Sequence, residues 1–172
     1  ADGQLVAWLN PAVPANAERE LAAITNAAAR YPFDGIHLDY IRWPGRDADY
    51  SPATRRAFET ALGRTIARWP ADVLNGGPLA AEFRRWRANV ISEFVRRVRT
   101  ELRRVAPTMM LSAAVFADPS DCPDTVGQDW PRWLREGWVD FVCPMNYDDN
   151  LRRFAARSAA HSALPNAAGR IW

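Results

Sequence analysis

Short apolar runs alternate along this chain with longer segments whose apolar residues recur every three or four positions. That alternation restricts the fold more than any other feature. Residues 4–10 read as a strand, and a helix over 17–30 carries Leu21, Ile24, Ala27 and Ala28 at helical spacing. A second strand holds His37 and Asp39. Ser51-Pro52 then opens a helix to about Trp69, a capping residue followed by a proline in the first turn. Asn75-Gly76-Gly77-Pro78 interrupts the chain before a long helix to about Val105. Its Phe83, Trp86, Val90, Phe94, Val98 and Leu102 form one continuous stripe. A strand over 109–116, a short helix over 130–136 closed by Gly137, and a strand over 139–147 follow. A helix over 150–162 and the start of a further strand at 168–172 complete the pattern.

Strands separated by helices of this length predict a parallel sheet. It can close as a barrel or stay open and doubly wound. No glycine-rich turn follows the first strand, so the dinucleotide fingerprint of the open form is missing. A whole eight-stranded barrel usually takes roughly 200 residues or more, and only about five strands are visible. The expected fold class is therefore α/β, a partial TIM (β/α)8 barrel. Residues 1–172 are expected to be the central part of one barrel domain, truncated at both ends.

Composition narrows the function classes. The chain is 48% hydrophobic, enough for a core, with a net charge of +2 carried by arginine without a single lysine. The arginines from Arg96 to Arg104 resemble a nucleic-acid patch, but Glu93 and Glu101 interrupt them and the same helix commits its other side to a core. They read as a solvated face, and no nucleic-acid partner is expected. Cys122 and Cys143 have no metal-ligand spacing and read as free thiols. There is no H-E-x-x-H, and the two histidines are far apart in sequence, so neither metal nor cofactor is expected. No run is long enough for a membrane span.

The densest chemistry lies between Phe33 and Pro44. Asp34-Gly35 is a turn signal, and the alternation beyond it places His37 and Asp39 on one strand face with Ile36, Leu38 and Tyr40 on the other. Strands of parallel sheets are usually apolar on both faces because helices cover them. A polar pair fits a strand end that opens into a site. Asp39 is the centre of that site.

These residues carry a family resemblance. Val6-Ala7-Trp8-Leu9-Asn10-Pro11, the block from Asp34 to Pro44, Trp86-Arg87-Ala88-Asn89-Val90, the strand before Phe116, and Trp133 to Phe141 running into Pro144-Met145-Asn146-Tyr147 occur in the family's order. Together they resemble the bacterial glycosyl-hydrolase-like family 10 barrels. A more distant similarity is to family 18 chitinases, whose D-G-x-D-x-D-x-E and M-x-Y-D motifs align with Asp34 to Ile41 and with Met145 to Asp148. The chitinase acid position is occupied here by Ile41, which cannot protonate a leaving group.

The resemblance implies a glycosidase acting on a polysaccharide, an amino-sugar polymer of the bacterial envelope being the suggested substrate, in an extracytoplasmic setting. Glycosidases need two carboxyl groups flanking the bond, one protonated and one ionised. Asp39 is the expected catalytic carboxylate, with Asp118 and Asp148 as candidate partners at the ends of later strands. His37 is expected to sit deeper and orient Asp39, and Arg42 to pair with Asp39 and hold it ionised. Tyr40, Trp43, Asn146 and Tyr147 are expected to contact sugar, Trp43 by stacking. Asn10 and Arg87 are expected at the same rim. The rival class is a carbohydrate-binding barrel without turnover, which Ile41 favours.

Overall fold

The structure is a computed structural model that describes residues 8–172. Most of the strand expected over 4–10 lies outside the described residues. The fold is mixed α/β, with helices α1 (Pro14–Arg30), α2 (Pro52–Leu62), α3 (Ala80–Val105), α4 (Cys122–Thr125), α5 (Trp130–Arg135) and α6 (Leu151–Ser162) around strands β1 (Gly35–Leu38), β2 (Met110–Phe116) and β3 (Phe141–Met145). The strands form one parallel sheet in the order β1-β2-β3. Ile171 adds a single parallel bridge to Val142, so the strand expected at 168–172 is reduced to one contact beside β3.

Spatial order follows chain order without a reversal. Doubly wound sheets reverse at a switch point, whereas barrel strands proceed in sequence. The arrangement is consistent with part of a barrel.

The sheet separates two faces because strand side chains alternate. Leu38, Leu111, Ala113, Val115 and Val142 point to the helical side, where they pack with Leu21 of α1, Ile91, Val95, Val98 and Leu102 of α3, and Trp130 and Trp133 of α5. A smaller cluster of Phe58, Ile66, Val73 and Phe83 fixes α2 and its following loop against the start of α3. The opposite face carries His37, Met110, Ser112, Phe116, Phe141 and Cys143, with Met110 47% exposed.

Arginines staple helices to strands. Arg99, expected on a solvated face, is buried instead: it binds Asp140 at 2.6 Å, and the same Asp140 oxygen accepts the Leu111 N–H. A long guanidinium can reach from the rim of a helix stripe to a carboxylate at the start of a strand, which helical spacing alone does not reveal. Arg170 donates to the carbonyls of Leu134, Val139 and Asp140, tying the last segment to the turn before β3. Helix α2 ends at Leu62, earlier than the expected Trp69, because Gly63 turns left-handed at φ 69° and stops it.

Candidate functional site at the carboxyl edge of the sheet

All three strands run the same way, so the segments after Leu38, Phe116 and Met145 emerge at one edge. Asp39, Tyr40 and Arg42 follow β1, Asp118 follows β2, and Asn146, Tyr147 and Asp148 follow β3.

Behind β1 the alternation stops. Tyr40 adopts a left-handed backbone (φ 53°) and swings out to 62% exposure, where strict alternation would have packed it with Leu38. Its N–H donates to its neighbour's carboxylate, Asp39 Oδ1, at 2.7 Å. Asp39 is exposed and has no ion-pair partner among the described residues. The expected Arg42–Asp39 pair is therefore absent. Arg42 turns instead into an aromatic cluster, with its Cζ 4.4 Å from the Tyr40 ring centre, 5.0 Å from Phe116 and 5.5 Å from Trp8. Attraction between a guanidinium and three ring faces replaces the carboxylate. A cleft of about 470 Å³ opens beside this cluster, bordered by Asn10, Glu20, Leu38, Asp39 and Arg42.

His37 does not orient Asp39. It is exposed on the open face, and its Nδ1 meets Ser112 Oγ at 2.8 Å, the residue directly opposite it in register. The strand ends one residue later, so the partner across the ladder is nearer than the carboxylate beyond the end.

Trp43 and Arg87 are corrected from substrate contacts to core. Trp43 is fully buried, and its Nε1–H donates to the Arg87 carbonyl at 3.1 Å. Gly127 makes room for it: a Cβ there would come within 2.8 Å of the indole, and the backbone is already left-handed at φ 75°. Arg87 is 2% exposed, its guanidinium 4.8 Å from the Trp43 ring centre. Its Nη1 and Nη2 each donate at 2.6 Å, to the carbonyls of Arg46 and Gly45. Burial pulls its pKa down to about 10. It clamps the loop after β1 from beneath. Asn10 is likewise spent on structure: its amide nitrogen donates to Thr54 Oγ1 at 2.8 Å and its Oδ1 accepts from Ala12 N–H at 2.8 Å.

The two candidate partner carboxylates are held by local contacts. Asp118 accepts from the hydroxyl and the N–H of Ser120, which lowers its pKa. Asp148 accepts three hydrogen bonds from Arg153, then the Asn150 N–H and Arg157, and its pKa falls to about 2 with the Arg153 hydrogen bonds as the largest cause. Neither is set up to hold a proton near neutral pH. Asn146 donates to Phe154 O and Ser158 Oγ, while its Oδ1 is buried without a partner. Tyr147 is 89% exposed.

The sequence reading missed Gln128. Fully buried, it accepts the Phe116 N–H at 2.9 Å and donates to Ala114 O and Ile41 O, bridging β1 and β2 where their ladder ends. A glutamine in a loop after a short helix carries no periodic signal. Its neighbours Gly127 and Trp130 were the available hint. Among the described residues no cluster of His, Cys, Asp or Glu is arranged to hold a metal ion. No described helix is long and apolar enough to cross a membrane.

Fold and edge together define an α/β protein with a parallel sheet whose polar and aromatic groups gather where the strands finish. The chain matches the family model described as Glycosyl hydrolase-like 10 over residues 2–166 and belongs to that family. It is also 31% identical over 110 residues to an S-layer-related protein of Niallia circulans, a match covering 58% of this chain. The aligned part is 7% of that much longer relative.

Proposed function

We propose that this chain is the central part of a (β/α) barrel glycosidase acting on a polysaccharide of the cell envelope, with Asp39 as the carboxylate at the scissile bond. One observation carries the reading. Of the three carboxylates expected at this edge, Asp39 alone is exposed with neither an ion pair nor a hydrogen bond from another side chain among the described residues, and it borders a cleft with the rings of Tyr40 and Trp8. Aromatic faces suit the apolar faces of sugar rings, and an ionised carboxylate next to them can stabilise an oxocarbenium-like transition state or attack it. Membership of the glycosyl-hydrolase-like family supports the chemistry, and the S-layer-related relative supports the envelope setting.

The proton donor is a separate question. Asp118 and Asp148 both sit below the usual carboxylate range, which suits acceptors and disfavours acids. On this reading neither of them is the acid. The second reading, a glycan-binding domain without turnover, is favoured by Ile41 in the acid position.

Asp39→Asn in the full-length protein separates the two. It keeps shape and hydrogen-bonding capacity while removing the charge. Release of reducing ends from cell-wall glycans and chitin-like polymers is expected to fall by a factor on the order of 10² or more, since positioned acid–base groups contribute about 10²–10⁴. Affinity is expected to change much less, because the lost interaction is made mainly in the transition state. Parental turnover in the variant would sink the hydrolase reading. A parent that binds without turnover would establish the second.

A further inference from the structure

Arg42 is the charged group of this edge that the reading above leaves without a task. Its Nε and Nη1 are buried and have no hydrogen-bond partner, and it enters no ion pair among the described residues. Unmet buried donors cost about 1–3 kcal/mol each, more for charged groups, so such an arginine is uncommon unless something else satisfies it. The two acids bordering the same cleft do not: Asp39 is engaged by the Tyr40 N–H, and Glu20 makes no ion pair with it. Trp8, Tyr40 and Phe116 offer π faces to the guanidinium and can serve its charge, yet a ring face does not saturate N–H donors lying in the guanidinium plane.

We infer that Arg42 is the receptor for a carboxylate carried by the glycan, so that the polymer bound at this edge is acidic. The inference rests on the reading of this edge as a glycan site. Rings crowding the guanidinium leave its N–H edge as the part still able to bond. Nε–H and Nη2 point to the same side of the guanidinium, and a planar carboxylate matches that fork with two parallel hydrogen bonds, meeting one of the two buried donors, which a sugar hydroxyl cannot do. Tyr40 is the movable cover. Its ring is the nearest of the three and the residue is 62% exposed, so on this inference it swings aside and uncovers the Nε edge. A uronic acid supplies the required group beside a ring that stacks on the aromatics.

The test uses the full-length protein and paired probes: hyaluronan, polygalacturonate and polyglucuronate oligosaccharides, each beside its carboxyl-reduced counterpart. Binding is measured by calorimetry at fixed low salt. The parent is expected to bind at least one acidic probe at least tenfold more tightly than its reduced form. Arg42→Met is expected to abolish that preference, and Arg42→Lys to restore only part of it, since an ammonium keeps the charge without the fork. The parent comparison needs no variant, so a misfolded Arg42→Met leaves the test intact. Equal affinity for acidic and reduced probes would overturn this inference while leaving the glycan site standing. Binding to neither these probes nor neutral cell-wall glycans would overturn both.

Discussion

Arg87 has left solvent almost completely, and its two charge-assisted bonds go to the Arg46 and Gly45 carbonyls, which accept no other hydrogen bond among the described residues. Arg87→Met keeps much of the apolar stem but orphans both oxygens. At about 1–3 kcal/mol for each unmet group, the loss is about 2–6 kcal/mol in all, read as a lowered urea midpoint with an unchanged slope. A loss below about 1 kcal/mol would show that water replaces the guanidinium there. The same position explains why residue roles were only partly legible. Asp39, Tyr40 and Tyr147 follow apolar strands and were readable as edge groups from that alone. Trp43 looks identical by that rule, yet it doubles back beneath the loop because Gly127, remote in sequence, leaves a space its indole fills. Arg42 was expected beside a carboxylate because charge pairing is the simplest sequence inference. The left-handed turn at Tyr40, which brings a ring over it instead, has no glycine or asparagine to announce it.

At the scale of elements, α6 is anchored by very few groups. His161 is its one buried residue, and Asp148 grips Arg153 and Arg157 from just before its first turn. A carboxylate whose folded pKa is depressed contributes stability fully above its ordinary value and loses it as pH falls through the folded value. For Asp148 the window runs from about 4, the usual aspartate value, down to about 2. Amide protection in α6, corrected for the intrinsic pH dependence of exchange, is therefore expected to fall between those limits ahead of α3, and Asp148→Asn is expected to show the lower protection already at neutral pH. Protection that stays level across the window in the parent would mean that the Asn150 cap, bonding the N–H groups of Arg152 and Arg153, suffices by itself. Helices were the most legible elements. The α3 stripe is long enough to fix its period, and Ser51-Pro52 does start α2, with Ser51 accepting from Thr54 N–H. Ends were less legible: α4 spans only four residues, too short for any periodicity to register.

For the molecule as a whole, parallel strands alternating with helices were predictable from spacing, whereas the order β1-β2-β3 was a choice between two closures that only the missing glycine-rich turn informed. What the order leaves is a sheet with one covered face. Parallel sheets are normally buried on both sides, yet here the core lies wholly on the helical side, and Met110 and Phe116 stand partly open on the other beside exposed His37. If this face belongs to a barrel interior, the 172-residue polypeptide alone should display it. That polypeptide is expected to bind a hydrophobic dye such as ANS and to self-associate as concentration rises. Met110→Lys is expected to weaken both without changing helical content, because Met110 lies on the sheet face opposite the helical core and is 47% exposed. The full-length protein is expected to bind the dye less per molecule, its further strands and helices covering what the short polypeptide exposes. Equal dye binding by the two, with Met110→Lys indistinguishable from the parent, would mean that this face is solvated in the intact protein as well, and the barrel reading would then lose its physical basis.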